Sequence, residues 1–364
     1  MTEIIDLSKC KLNERAGTYG GKAGFKDAIV YNNEYWIVKY PQSTKGFRVR
    51  DVSYTTAPLS EYIGSQVYQK LGYDTHDTIL GCRNNKIVVA CKDFCKKEGA
   101  LREIRTLKNL ANEKLEEKLN QSFNSTGSSH FVDLEETLLH IKYNDILSKV
   151  PGIEKRFWDM VVVDALINNN DRNNSNWGVL YEDGVYKLAP VYDNGAAFSN
   201  KVSDEKLLKQ LQNKDIMLQS INSATTAYSL KDKQIFTKDL FQLEYNGFKE
   251  SVLRNVPLFV DKKEEIIKMI KEIPESYNGK YICSDVRKEA YIQNMDMRME
   301  YYFLPAYEKY MKEQNMECTK NNEKSIGKME KSKYQEQPGL IKAAYEYTIE
   351  KLKDVLPDDE TDNI

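Results

Sequence analysis

Residues able to do chemistry cluster in one stretch, Phe157 to Phe198. An apolar run, Phe157 to Ile167, breaks into Asn168-Asn169-Asn170, so a buried helix ends in a polar loop. The loop carries Asp171 and, five residues on, Asn176. A strand-like Trp177 to Tyr181, a turn at Glu182-Asp183-Gly184 and a second strand, Val185 to Leu188, then lead to Asp193-Asn194-Gly195. A hairpin returns the chain on itself, which predicts that Asp171, Asn176 and Asp193 converge. A carboxylate with an amide oxygen suits a hard cation such as Mg²⁺, and a remaining carboxylate can accept a hydroxyl proton. Together these make the catalytic and metal-binding end of a phosphoryl-transfer site. The competing reading is an Asn/Asp-rich surface loop whose side chains cap local turns.

A nucleotide would have to be held by elements upstream. Gly17 to Gly24 reads GTYGGKAG and feeds a hairpin made of Lys26 to Val30, a turn at Asn32-Asn33, and Tyr35 to Tyr40. Backbone N–H groups at Gly20 and Gly21 can cradle phosphate oxygens, with Lys22 adding charge; the segment also reads as a plain glycine turn. In the second strand Lys39 is a charge among residues that would otherwise be buried, and a buried ammonium needs a partner. On the solvent face of a half-buried strand it would need none.

The segment Ala57 to Gly72 predicts a helix, with Pro58 near its first position, Gly72 just past its end and Leu59, Ile63, Val67 and Leu71 as its core stripe. Glu61 lies early in it, where a carboxylate suits the helix dipole and where, in a kinase, it pairs with the strand lysine. Thr78 to Cys82 and Lys86 to Cys91 make a further hairpin around Arg83-Asn84-Asn85. By order along the chain, Cys91 and Lys92 stand at a crossover between lobes, where backbone would meet an adenine edge.

Asp171-Arg172-Asn173-Asn174-Ser175-Asn176 followed by Tyr192-Asp193-Asn194-Gly195 resembles the catalytic and metal loops of HipA-like serine/threonine kinases, and more distantly those of phosphatidylinositol kinases. Trp36-Ile37-Val38-Lys39-Tyr40-Pro41 resembles the nucleotide-lysine strand of the HipA-like proteins. Asn173 departs from the pattern, standing where lipid kinases and many HipA-like proteins have histidine. The resemblance implies an α+β, bilobal protein-kinase-like fold, with a small antiparallel-sheet N-lobe and a mostly helical C-lobe, of the short type without the extra N-terminal region of longer HipA toxins. It implies transfer of the ATP γ-phosphoryl group to a protein serine or threonine. Asp171 and Lys39 are then catalytic, Asn176 and Asp193 hold Mg²⁺, and Gly20, Gly21, Lys22, Lys39, Glu61, Cys91 and Lys92 bind the nucleotide. It also implies a translation-factor substrate such as an aminoacyl-tRNA synthetase, an antitoxin-type partner, and phosphorylation of the glycine loop at Thr18. A lipid or small-molecule kinase and a nucleotide-binding pseudokinase are the rival readings.

The chain of 364 residues has room for a bilobal enzyme. We expect an N-lobe over 1–92, a C-lobe over 93–315, a polar linker over 316–339 and a terminal helix with an acidic tail over 340–364. Fifty-three basic residues against fifty-five acidic ones give a formal charge of −2, which points to neither a nucleic-acid nor an anionic-membrane partner. Six cysteines without a C-x-x-C pair, and three histidines at no ligand-like spacing from them, indicate neither a zinc site nor a disulfide framework. Met1 to Cys10 has no apolar core, and no apolar run approaches the roughly 18 residues of a membrane span, so a cytoplasmic protein is expected.

Overall fold

The computed structural model describes residues 1–13, 26–46, 51–97, 100–123 and 131–326, the last ten as backbone only. Thr18, Gly20, Gly21, Lys22 and the expected terminal helix over 340–364 lie outside the described residues. Strands β1 (Ile5–Asp6), β2 (Lys26–Tyr31), β3 (Glu34–Lys39), β4 (Thr78–Arg83) and β5 (Lys86–Lys92) form one sheet in the order β1-β4-β5-β3-β2. β1 runs parallel to β4 and the other pairings are antiparallel. The turns at Asn32-Asn33 and Asn84-Asn85 put all four residues at positive φ, from 48° to 62°. That is the tight hairpin geometry asparagine tolerates best after glycine. Helix α1 (Ala57–Lys70) crosses from β3 to β4 and buries Leu59, Ile63 and Val67 in the main core beside Leu80.

The second lobe begins with β6 (Leu101–Glu103), α2 (Ile104–Leu119), β7 (Val132–Asp133), α3 (Leu134–Tyr143) and α4 (Ile153–Ile167). The hairpin β8 (Gly178–Glu182) and β9 (Val185–Leu188) follows, with β6 adding to β8. Then come α5 (Asp204–Leu211), α6 (Lys214–Asn222), β10 (Thr225–Leu230), β11 (Lys233–Phe236), α7 (Thr237–Leu240) and α8 (Asn246–Lys271). A short hairpin, β12 (Ser276–Tyr277) with β13 (Lys280–Tyr281), precedes α9 (Asp285–Arg298) and α10 (Leu304–Ile326), which are separated by one π turn over Met299–Phe303. The bilobal α+β architecture expected from the motifs is the one found.

The helix α4 organises the second lobe because it is apolar nearly all round. Val161, Val163 and Ile167 are fully buried, each contributing about 1.5–3 kcal/mol on burial. Its two buried acids must therefore find partners. Asp159 takes Lys155 (2.8 Å), Arg254 (2.7 Å) and Ser251 (2.8 Å), which ties α4 to α8. Asp164 faces the loop that follows.

Three expectations about elements change. The leucine spacing of Leu101 to Gln121 predicts a helix there, but the helix starts only at Ile104, because residues 101–103 pair with β8 as an edge strand. The sequence from Lys201 to Met311 predicts loops alternating with helices, yet it contains the β10/β11 hairpin, whose two-residue turn Lys231-Asp232 has positive φ without glycine or asparagine to announce it. The linker expected from Met316 is helical as far as Ile326, in keeping with the good helix propensity of its Lys, Glu and Met residues. Residues 1–311 form one compact unit; of the second, 312–364, residues 312–326 are described. Among the described residues no helix is long and apolar enough to cross a membrane.

Candidate active site

Lys39 closes β3, an interior strand of the sheet, and its ammonium lies 2.9 Å from Glu61 Oε2 on α1 and 2.9 Å from Asp193 Oδ1. Residues far apart in sequence thus meet on one nitrogen. Burial opposes the Lys39 charge, yet the Asp193 and Glu61 carboxylates outweigh it and carry the lysine well above its usual range. Burial likewise opposes the Glu61 charge, and Lys39 with His76 overrides it, holding the carboxyl well below the usual carboxylate range. Lys39 is therefore a fixed cation.

The polar loop is built on the C-terminal end of α4. Asn168 ends that helix in the left-handed region (φ 56°), and Arg298 of α9 caps it through Ala165 O and Asn168 Oδ1, both at 2.8 Å. Arg172 then donates with all five of its N–H groups. Nε and Nη2 form a fork on Asp164 at 2.8 and 3.1 Å, Nη1 reaches Asn176 O at 2.9 Å and Tyr192 O, and Nη2 reaches Asn194 Oδ1. One buried guanidinium thus binds the end of α4, the 171–176 loop and the 192–194 loop together.

Asp171 is framed by these contacts. Its backbone N–H rests on Asn169 Oδ1 (3.3 Å), its carbonyl accepts Asn176 Nδ2 (2.6 Å), and its carboxylate accepts Asn173 Nδ2 (3.1 Å). Burial pushes the Asp171 carboxyl up; the Asn173 amide pulls it down, and the neighbouring charge of Asp193 pushes it up again. Asp193, itself at φ 61°, stands close enough to be felt by Asp171 while holding Lys39. Asp171, Asn176 and Asp193 are brought together, with Lys39 and Glu61 alongside.

Cys91 and Lys92 behave differently. The Cys91 backbone is paired on both sides, to Ile37 and Thr78, and its thiol lies buried near Glu61 and His76. The Lys92 ammonium turns away, 2.7 Å from Glu34 and 3.6 Å from Asp77. The Lys92 and Asp93 N–H groups are taken by Asp77 O and Tyr35 O.

Sequence reasoning missed Arg172, Asp164, His76, Asn194 and Arg298 as parts of this site. Arg172 and Asn194 stood inside the loop motifs without a role of their own, and Asp164 was an acid inside an apolar run. The histidines, unremarkable in spacing, include one, His76, whose Nε2 stands 3.1 Å from Glu61 Oε1.

The donor set fits a nucleotide with a divalent cation. Two carboxylates, Glu61 and Asp193, face one ammonium, and Asp171 stands near Asp193, so a cation there would neutralise negative charge. Asn176 Nδ2 is committed to the Asp171 carbonyl, so its amide oxygen is the end available to a metal. Lys39 is a fixed positive charge that could meet phosphate oxygens.

No family model matches the chain. It is 34% identical over 221 residues to the serine/threonine-protein kinase CtkA of Helicobacter pylori strain J99, a match covering 58% of this chain and 61% of that protein's length. The crystal structure of the Helicobacter pylori proinflammatory kinase CtkA superposes with a TM-score of 0.72 at 29% identity, over 85% of this chain and 98% of that one. The Shewanella oneidensis HipA chain, from its complex with HipB and operator DNA, aligns at 12% identity with a TM-score of 0.45, over 80% of this chain and 68% of that one.

Proposed function

We propose that the chain is a serine/threonine-protein kinase of the HipA-like type, similar to CtkA, and that it transfers the γ-phosphoryl group of Mg·ATP to a serine or threonine hydroxyl of a protein. The observation that carries this reading is the meeting of Lys39, Glu61 and Asp193 at 2.9 Å beside the Asp171–Asn176 loop. Phosphoryl transfer asks little covalent chemistry of a protein and much positioning and charge neutralisation.

In this reading Lys39 holds phosphate oxygens, with Glu61 orienting it. Asp193 and the Asn176 amide oxygen hold Mg²⁺, which supplies charge neutralisation for the transferring group. Asp171 accepts the proton of the attacking hydroxyl, and Asn173 turns the Asp171 carboxylate to receive it. An amide N–H thus does at position 173 the orienting that a histidine would do in relatives. The finer expectations stand with this proposal: Gly20, Gly21 and Lys22 over the phosphates, Cys91 and Lys92 near the adenine, autophosphorylation at Thr18, a translation-factor substrate and an antitoxin-type partner.

The test is ATP-dependent phosphate incorporation into protein acceptors, by the wild type beside Asp171→Asn. Incorporation at serine or threonine by the wild type alone is expected. ATP turnover without incorporation into protein, or equal incorporation by the variant, overturns the reading.

A further inference from the structure

His76 lies just ahead of β4, 6% exposed, with its backbone N–H on Val191 O at 3.2 Å. Its Nε2 is 3.1 Å from Glu61 Oε1 and 3.1 Å from Ser65 Oγ. A ring nitrogen beside a carboxylate favours the tautomer that carries its proton there, so the Nε2–H bonds Ser65 Oγ while its positive end lies 3.1 Å from Glu61 Oε1. Ser65 Oγ accepts Asn194 Nδ2 at 2.9 Å, and Asn194 Oδ1 accepts Arg172 Nη2. An unbroken polar chain runs from Lys39 through Glu61, His76, Ser65 and Asn194 to Arg172.

Close backbone approach along the same line is a second observation. A Cβ at Gly64 would stand 2.8 Å from Asn194 Cβ, and one at Gly195 would stand 3.1 Å from Glu61 Oε2. Glycine at these two positions lets the metal loop lie directly against α1. The loop and the helix are thus in contact, Ser65 on the helix accepting Asn194 of the loop, and His76 stands 3.1 Å from both Ser65 Oγ and Glu61 Oε1.

We infer that His76 is a positioning residue of the transfer site: it holds Glu61, and through it Lys39, in register with the Asp193-Asn194 loop. The inference rests on the nucleotide role proposed for Lys39. Glu61 is 1% exposed and has two oxygens to satisfy. Lys39 bonds Oε2, and the His76 ring N–H lies 3.1 Å from Oε1 as an electrostatic neighbour. Without the imidazole, Oε1 would lose that neighbour in a buried site, and the carboxylate would turn toward Lys39 and draw the ammonium off Asp193. Glu61, His76 and Cys91 also offer ligand atoms within 4.8 Å of one another. A cation there would face the Lys39 ammonium on the same carboxylate and a thiol that burial pushes up, so positioning is the use the geometry favours.

A double-mutant cycle on the full chain tests this, using His76→Phe, His76→Gln, Glu61→Gln and the His76→Phe/Glu61→Gln pair. Both kcat/KM for ATP and Kd for Mg with a non-hydrolysable ATP analogue are read. His76→Phe should lower kcat/KM for ATP roughly 10- to 100-fold, the scale of a small misplacement. His76→Gln, whose amide can still donate, should recover most of the loss. In the Glu61→Gln background His76→Phe should cost less than about threefold, because its effect runs through Glu61. An equal loss in both backgrounds, or no recovery by glutamine, would show that His76 only fills space. If His76→Phe does not fold, His76→Ala in the same two backgrounds, again beside His76→Gln, gives the same decision. If the wild type transfers no phosphate, the kinase reading fails separately, and the cycle in nucleotide Kd still decides the role of His76.

Discussion

Arg172 and Lys39 are both buried cations on which distant parts of the chain converge, but their surroundings differ. Arg172 uses every donor it has, four of the five bonds going to Asp164, Asn176 O and Asn194 and the fifth to Tyr192 O, and both it and Asp164 are 1% exposed. Nothing is left over for a ligand. Lys39 has two carboxylates within 2.9 Å, and one of them, Asp193, is 37% exposed and close enough to Asp171 for its charge to be felt there. That arrangement has an excess of negative charge and an open side. A saturated cation holds a loop in shape, whereas one left in an unbalanced, half-open cluster is placed to meet something else.

The sharpest way to break this comparison is to remove each cation in turn. Arg172→Met should cost about 3–5 kcal/mol of stability, because it leaves the Asp164 carboxylate buried without a counter-charge. Lys39→Met should stay folded, since Glu61 keeps His76 and Asp193 can reach water, yet lose about 100-fold or more in turnover. Urea unfolding beside steady-state kinetics checks both. Should Lys39→Met unfold as readily as Arg172→Met, or turn over normally, the contrast drawn between them is wrong.

A second pair sharpens the assignment inside the open cluster. Asp193→Asn should weaken binding of Mg with a non-hydrolysable ATP analogue far more than Asp171→Asn does, because in the proposed assignment Asp193 would give its charge to the metal while Asp171 would face the acceptor hydroxyl. Calorimetric titration distinguishes them. Wild-type binding by both variants, or a loss confined to Asp171→Asn, would reverse the roles.

What could be read in advance follows the same division. Lys39, Glu61, Asp171, Asn176 and Asp193 stood out because each is a polar group at a place where the local pattern calls for something else, or in a loop after a buried helix. The structure gathers them through a fold whose strands and helices carry period and turn signals. Arg172 was visible only as part of a motif, because its partners at 164, 176, 192 and 194 are defined by how three segments fold back. His76 and Arg298 gave no signal, since their partners lie in other elements: Glu61 and Ser65 for one, Ala165 and Asn168 for the other. Buried polar networks belong to tertiary structure, and spacing along the chain does not encode them.

The smallest expected effect concerns the asparagine at position 173. Its amide donates to the Asp171 carboxylate at 3.1 Å and is the largest influence drawing that carboxyl down against burial and the charge of Asp193. A general base works only when ionised, so its rate falls as pH drops through its pKa in the folded enzyme. With the Asp171 pKa raised, the acid limb of kcat/KM should lie above the ordinary aspartate range near 4. Removing the amide takes away stabilisation of the charged form alone, so Asn173→Ala should move the limb further up, with kcat at high pH reduced only to the extent that the carboxylate is less well aimed. Asn173→His tests whether an imidazole at this position can replace the amide: it should return the limb toward the wild-type position. A pH–rate profile of the three proteins checks this, and a limb that stays put in Asn173→Ala, or that moves to lower pH, would mean that Asn173 does not hold the base.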